Sequence, residues 1–229
     1  MIRLGILTGI DREVRILDRN LSVARPPDTS IDIAFSAARP ALARIAVAEL
    51  IDDGAQALVS FGFAGGLDPD LRPGALVVPR AVVVPGGGEI ACDDGLVARL
   101  VAAGLPAGDA LIAGSESPVL TPRDKTEFRA ATRGDAVDME SHILAQAARD
   151  AGLPFVVVRA VSDDAKTTLP PGAVALIGED GRVTRAAVAV ALLKNPLSVV
   201  GFLRAGRQAQ AASRSLGGAA RALGRLVSG

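Results

Sequence analysis

The stretch FVVVRAVSDDA, residues 155–165, runs through a series of apolar, mostly β-branched residues and ends on two adjacent acids. Such a run is typical of a strand that is buried on both faces of a sheet. In α/β proteins, ligands bind beyond the carboxyl ends of the central strands. Because carboxylates are poorly tolerated in a dry interior unless they are paired or used, Asp163 or Asp164 is a candidate catalyst.

Strand-like and helical patterns alternate on both sides of this stretch. Helical patterns occur at 11–18, 40–52, 93–104, 121–132 and 141–152, and strand patterns at 2–8, 31–37, 56–62, 74–84, 109–115, 134–140 and 154–162. The glycines of FAGGLDP predict a turn directly after the strand at 56–62. The alternation predicts an α/β fold: a single catalytic domain, residues 1–180, with three layers (α/β/α) around a mixed, mostly parallel central sheet.

The composition excludes several classes of protein. A hydrophobic content of 49% and a charged content of 22% over 229 residues suit a globular protein and argue against disorder. One cysteine, Cys92, excludes an intrachain disulfide framework and fits a reducing compartment, so we expect a cytoplasmic location. The opening MIRLGILTG is expected to be a first strand rather than a signal peptide. No run approaches the roughly 20 apolar residues of a membrane span.

The last segment, residues 181–229, differs in charge from the rest. It carries eight Lys or Arg and no acid, whereas residues 1–180 carry 17 against 25 acids. Arg207, Arg214 and Arg221 recur every seven residues opposite Leu216 and Leu223, which predicts a basic amphipathic helix. Two interpretations stay open, peripheral attachment to an anionic membrane surface and packing on the protein's own core. With no Trp or Tyr and six Phe, stacking platforms for nucleic acid are scarce.

Three motifs occur in order along the chain. Glu13 follows the first predicted strand, SFGFAGGL spans 60–67, and VDMES at 137–141 precedes VRAVSDDA at 158–165. Together they resemble the purine nucleoside phosphorylase/uridine phosphorylase superfamily, with the pattern of methylthioadenosine/S-adenosylhomocysteine nucleosidases over residues 1–165. The resemblance implies an enzyme that cleaves or transfers an N-glycosidic bond through an oxocarbenium-like transition state. It implies no metal or cofactor, phosphate as co-substrate aside, and a homodimer or larger homo-oligomer.

The resemblance assigns a role to each acid. Asp163 would give or share a proton with the leaving purine, with Asp164 as its structural neighbour. Glu140 would accept hydrogen bonds from the ribose hydroxyls, and Met139 would contact the sugar face. Glu13 would activate the attacking water.

The remaining site residues follow from the same resemblance. The backbone at 62–66 would approach the substrate, and Val119 would offer its backbone to the adenine edge; the other expected binding residues are Phe63, Ala64, Gly65 and Ser162. Phe63 stands where the family has a small polar residue, and Pro118 where an aromatic residue usually stacks on the purine. His142, the only histidine, is predicted to be structural.

The nucleophile and the substrate remain open. Ser60 stands where phosphorylases have an arginine, and TGIDREV lacks their glycine-Asp-Pro phosphate loop, so hydrolysis is favoured, although Arg12 could contact phosphate. The basic C-terminal segment adds a resemblance to the hopanoid-associated phosphorylases, which implies adenosylhopane as substrate and hopanoid side-chain biosynthesis as the process. The alternatives are a nucleosidase or phosphorylase acting on soluble nucleosides, and a non-catalytic nucleoside- or lipid-binding protein. A dinucleotide-binding oxidoreductase is disfavoured because the G-x-G-x-x-G spacing is missing.

Overall fold

The computed structural model describes residues 3–21, 30–106, 108–169 and 199–226, with side chains from 206 to 225 in the last segment. The helices are α1 Asp11–Leu21, α2 Pro40–Asp52, α3 Asp94–Ala102, α4 Pro122–Thr132, α5 Ser141–Ala151 and α6 Val199–Leu226. The strands are β1 Arg3–Thr8, β2 Ser30–Phe35, β3 Ala57–Gly66, β4 Leu76–Val77, β5 Ala81–Val83, β6 Glu89–Ala91, β7 Leu111–Gly114, β8 Ala136–Asp138 and β9 Phe155–Asp163.

These nine strands form one mixed sheet. Its main path runs β2-β1-β3-β8-β7-β5-β6, and β9 pairs with β3 and β4 off this path. The pairs β1–β2, β1–β3, β3–β9, β5–β7 and β7–β8 are parallel, and the pairs β3–β8, β4–β9 and β5–β6 are antiparallel. The prediction of a mixed, mostly parallel sheet is confirmed.

Strand β9 shows why the sheet is covered on both faces. Its side chains alternate between two cores: Val156, Val158 and Ala160 face one, and Val157 and Val161 face the other. The first core contains residues of α1, α3 and α6, and the second contains residues of α2 and α5. The fold therefore has three layers, as the apolar run at 155–161 predicted.

Local signals explain where several helices begin and end. Helix α2 starts with Pro40, which is pre-organised for the first helical position. Helix α4 starts with a capping box, in which Thr121 and Asp124 each accept from the other's backbone N–H. Helix α5 ends at Gly152, which adopts the left-handed conformation that favours glycine.

Helix α6 packs on the body of the protein, chiefly against α1 and β9. Ala212, Leu216, Ala219, Ala220 and Leu223 are completely buried in the core that contains β9. The arginines on the other side of the helix, Arg207, Arg214, Arg221 and Arg225, are exposed. The predicted amphipathic helix is therefore present, with its apolar side occupied by the core. Membrane contact through the exposed arginines stays a prediction.

No helix in the described part of the chain is long and apolar enough to cross a membrane. The longest apolar run considered as a span, AAVAVALL at 186–193, is too short to cross a membrane and lies outside the described residues.

One detail of the predicted elements is wrong, and in another Pro79 marks the bend that its missing N–H predicts. The glycine-rich segment predicted as a turn continues strand β3 to Gly66, because β9 pairs with β3 as far as Gly65 and β8 pairs with Gly65 and Gly66. The strand predicted at 74–84 is divided into β4 and β5, with Pro79 between them, as its missing N–H favours.

Candidate active site

One cleft gathers all the residues predicted for the site. It has a volume of about 200 Å³ and lies where β1, β3, β8 and β9 end. The predicted residues that line it are Glu13, Phe63, Ala64, Gly65, Val119, Met139, Glu140, Ser162 and Asp163. Glu13 thus faces the same cavity as Glu140 and Asp163, which lie more than a hundred residues later in the sequence.

Glu13, in the first turn of α1, is almost fully buried. One oxygen, Oε2, accepts from the backbone N–H groups of Gly9 (2.7 Å) and Ile10 (2.9 Å), and Oε1 accepts from that of Phe63 (2.7 Å). Burial raises the pKa of Glu13, although these hydrogen bonds and the charge of Arg159 oppose the shift. The side chain is therefore a fixed carboxyl group with the raised basicity that a general base needs.

Glu140 lies beside Glu13 and is also buried. The hydroxyl of Ser36 donates to its Oε1 (3.2 Å), and Nη2 of Arg159 lies 3.5 Å from its Oε2. Burial is the main cause that raises the pKa of Glu140 to about 7, and the nearby charges of Asp138 and Glu13 act in the same direction. The group therefore titrates near neutral pH.

Arg159, which the sequence interpretation did not assign to the site, holds this end of the cleft together. Its side chain is fully buried and pairs with Asp138, with 2.6 Å between Nε and Oδ2. It also donates to the hydroxyl of Ser60 (2.6 Å) and the carbonyl of Phe63 (3.2 Å). A signal was available, because an arginine inside the apolar run at 155–161 must be buried with partners.

Acidic side chains outnumber basic ones among the described residues at this end of the cleft. Glu13, Asp138 and Glu140 are three buried acids around the single guanidinium of Arg159. Such a site stabilises positive charge that develops on a bound molecule, and it disfavours the approach of an anion.

Gly62 allows the two sides of this cluster to meet. A Cβ atom at this position would overlap Oε1 of Glu13 and would lie 2.5 Å from Nη1 of Arg159. The glycine is therefore required for space, since the side chains of α1 and β9 approach each other directly over its Cα.

Asp163, the last residue of β9, lies at the other end of the cleft. Its Oδ1 accepts from the hydroxyl of Ser162 (2.6 Å), and its Oδ2 accepts from Nζ of Lys125 (2.5 Å). Val119 and Met139 line the cleft with it. The neighbouring acid, Asp164, does not line the cleft, and its side chain accepts from the hydroxyl of Thr167.

Two of the three unusual residues noted in the sequence line the cleft, and the third lies outside it. The Phe63 ring lines the cleft, and the guanidinium of Arg12 lies 5.9 Å from its centroid, on the side of a neighbouring groove. Pro118 also lines the cleft, at the position where the resemblance implies an aromatic residue that stacks on the purine. His142 is buried outside the cleft, and its Nε2 is 3.1 Å from Oε1 of Glu116, in keeping with the predicted structural role.

The fold is that of a nucleoside phosphorylase-like α/β protein. The sequence profile of the Phosphorylase superfamily matches residues 38–194, more than half of the chain, and the chain therefore belongs to this superfamily. The resemblance found in the sequence is confirmed at that level. None of the curated proteins matches the chain in the sequence comparison.

Several solved structures share the fold. The 5′-methylthioadenosine/S-adenosylhomocysteine nucleosidase from Helicobacter pylori with butyl-thio-DADMe-Immucillin-A is 18% identical, with a TM-score of 0.72 over 100% of this chain and 98% of that one. Futalosine hydrolase from Helicobacter pylori is 18% identical, with a TM-score of 0.67 over 95% and 97%. S-adenosylhomocysteine nucleosidase from Streptococcus pyogenes is 25% identical, with a TM-score of 0.64 over 85% and 98%.

Proposed function

We propose that this protein hydrolyses the N-glycosidic bond of a 5′-modified adenosine and releases adenine. The observation that carries the proposal is the convergence of Glu13, Glu140 and Asp163 on one cleft. Membership of the Phosphorylase superfamily supports an enzyme that transfers or hydrolyses glycosyl groups. The matched nucleosidases, by their names, act on 5′-methylthioadenosine, S-adenosylhomocysteine and futalosine.

The geometry suits a substrate that lies along the cleft, with its sugar at the acidic end. Glu140 would accept hydrogen bonds from the 2′- and 3′-hydroxyls, with Met139 against the sugar ring. As the glycosidic bond lengthens, positive charge develops on the ribose and the buried acids stabilise it. Glu13 would take a proton from the attacking water. The bond's electron pair passes to the purine, where Asp163 gives or shares a proton at N7.

The charge of the cleft favours water over phosphate as the nucleophile. A phosphate ion would meet three acids and one arginine, and that arginine already pairs with Asp138. Ser60, at the position where phosphorylases have an arginine, is buried and bonded to Arg159. Arg12 lines the groove behind Phe63 rather than the cleft.

The 5′ substituent has two candidates. Adenosylhopane is the candidate that the basic C-terminal segment suggests, and 5′-methylthioadenosine is the candidate that the matched nucleosidases suggest. The exposed arginines of α6 would bring the enzyme to an anionic bilayer that carries a lipid nucleoside.

The test is release of base from defined nucleosides. The protein is incubated with 5′-methylthioadenosine, adenosine and inosine in buffer, and with adenosylhopane in vesicles, each with and without phosphate. From the adenosine derivatives we expect adenine and a free reducing sugar at a rate that phosphate does not raise; inosine would release hypoxanthine. If sugar 1-phosphate forms when phosphate is present, the reaction is phosphorolysis and not hydrolysis. No base from any substrate would overturn the proposal.

Substrate binding is expected to weaken as the pH falls through about 7. The raised pKa of Glu140 means that its carboxyl group gains a proton in this range, and a protonated carboxyl can no longer accept from both ribose hydroxyls. The measurement is the Kd of a C-nucleoside analogue of adenosine, which is not cleaved, between pH 5.5 and 8.5. The 2′,3′-dideoxy form of the analogue is the control, since it has no hydroxyls to offer. Equal pH dependence for both would contradict the assignment of Glu140.

A further inference from the structure

Helix α4 buries one residue completely, and that residue is a lysine. Lys125 has no exposed surface, while the other ten residues of α4 are half-buried or exposed. Buried lysines are rare because an ammonium group loses its hydration unless it is fully paired. A position of this kind would ordinarily hold an apolar residue, so the charge calls for an explanation.

The ammonium of Lys125 is directed at the end of β9. It donates to Oδ2 of Asp163 (2.5 Å), to the carbonyl of Asp164 (2.7 Å) and to the carbonyl of Thr167 (3.3 Å). Three oxygens thus satisfy its three protons. The lysine does not line the cleft, and it reaches the site only through Asp163.

The two oxygens of Asp163 are therefore in different surroundings. Oδ2 is held by Lys125, and Oδ1 lies next to the hydroxyl of Ser162. That hydroxyl is also 3.2 Å from the carbonyl of Ala64, so its one proton has two acceptors within reach. Ser162 can donate to Ala64 while Oδ1 carries a proton, and to Oδ1 once that proton has left.

We propose that Lys125 is the positioning residue for Asp163 in glycosidic cleavage, an inference that rests on the proposed function. The ammonium holds the carboxyl group by Oδ2, which leaves Oδ1 as the oxygen that exchanges a proton with the purine, and it stabilises the carboxylate that remains when Asp163 gives its proton to N7. In that step the Oδ1–H bond breaks, the N7–H bond forms, and the electron pair of the glycosidic bond moves into the purine. Lys125 keeps all of its protons. Loss of Lys125 should therefore have little effect on cleavage of a substrate whose leaving group needs no proton.

The test compares two leaving groups in the same variant. Lys125→Met should lower kcat for adenine release from 5′-methylthioadenosine by about a hundredfold, as misplacement of a catalytic group does, with KM within about threefold. With 4-nitrophenyl β-D-riboside, whose leaving group departs as a stable anion, the loss should be at least tenfold smaller. Lys166→Met is the matched control. Lys166 is exposed, and it lies on the turn after β9 whose carbonyls at Asp164 and Thr167 accept from Lys125. Equal losses on the two substrates would overturn the proposal.

A double variant keeps the proposal testable if Lys125→Met folds poorly. Asp163→Asn with Lys125→Met leaves no buried carboxylate without a partner, and if Lys125 acts only through Asp163, its kcat should equal that of Asp163→Asn within about threefold. Independent, multiplicative losses would overturn the proposal. Failure of the proposed function would look different, because the unmodified protein would then release no base from any nucleoside.

Discussion

Asp163→Asn is expected to lower kcat for adenine release by about a thousandfold, within the usual range for loss of a general acid. Asparagine has nearly the same shape, and its amide can still bond to N7, but it has no proton to give as the base departs. KM should therefore change little. The measurement is steady-state release of adenine from 5′-methylthioadenosine.

The neighbouring acid provides the control for this variant. Asp164→Asn changes the same functional group one residue later, on a side chain that bonds to the turn at Lys166 and Thr167 instead of the cleft. It should retain kcat within about twofold. A rate for Asp163→Asn close to that of the unmodified protein would remove Asp163 from the mechanism.

Glu13→Ala is expected to lower kcat for hydrolysis by a similar factor, about a thousandfold, because the attacking water loses its base. The same change removes one negative charge from the acidic end of the cleft and opens space there. A small anionic nucleophile that the carboxylate repels should now enter. Azide is therefore expected to restore adenine release in this variant and to leave the unmodified protein unaffected, with ribosyl azide as the product.

The control for Glu13 lies on the same helix. Asp18→Asn removes an exposed acid from α1, and it should change neither the rate nor the response to azide. If Glu13→Ala hydrolyses at the normal rate, or if azide gives no ribosyl product, Glu13 does not act on the nucleophile.

Local patterns in the sequence predicted most of the fold. The apolar run at 155–161 predicted β9, and start signals at Pro40 and Thr121 predicted α2 and α4 at their observed positions. Strand β6 was not predicted, because a strand of three residues after a run of glycines gives no periodic signal. The glycines at the end of β3 led to the wrong prediction of a turn. Pairing with β8 and β9 keeps this part of the chain extended, and both strands are distant in sequence.

Some residues of the candidate site were also predictable from the sequence, and others were not. Motif order in the sequence predicted Glu13, Glu140 and Asp163, and the structure places all three on one cleft. Lys125 gave no signal, because its partner lies 38 residues away and its helix has no clear apolar face. Charged residues whose role is to hold another side chain are visible only when tertiary distances are known.

The position of α6 has a consequence for synthesis of the protein. The strand that ends at Asp163 shares its core with Leu216 and Leu223 of α6, which follow it far along the chain. Folding during translation therefore cannot finish with the sheet, because this apolar face of β9 stays uncovered by α6 until that helix has left the ribosome. A stop codon placed before α6 should then yield aggregated product rather than a shortened enzyme.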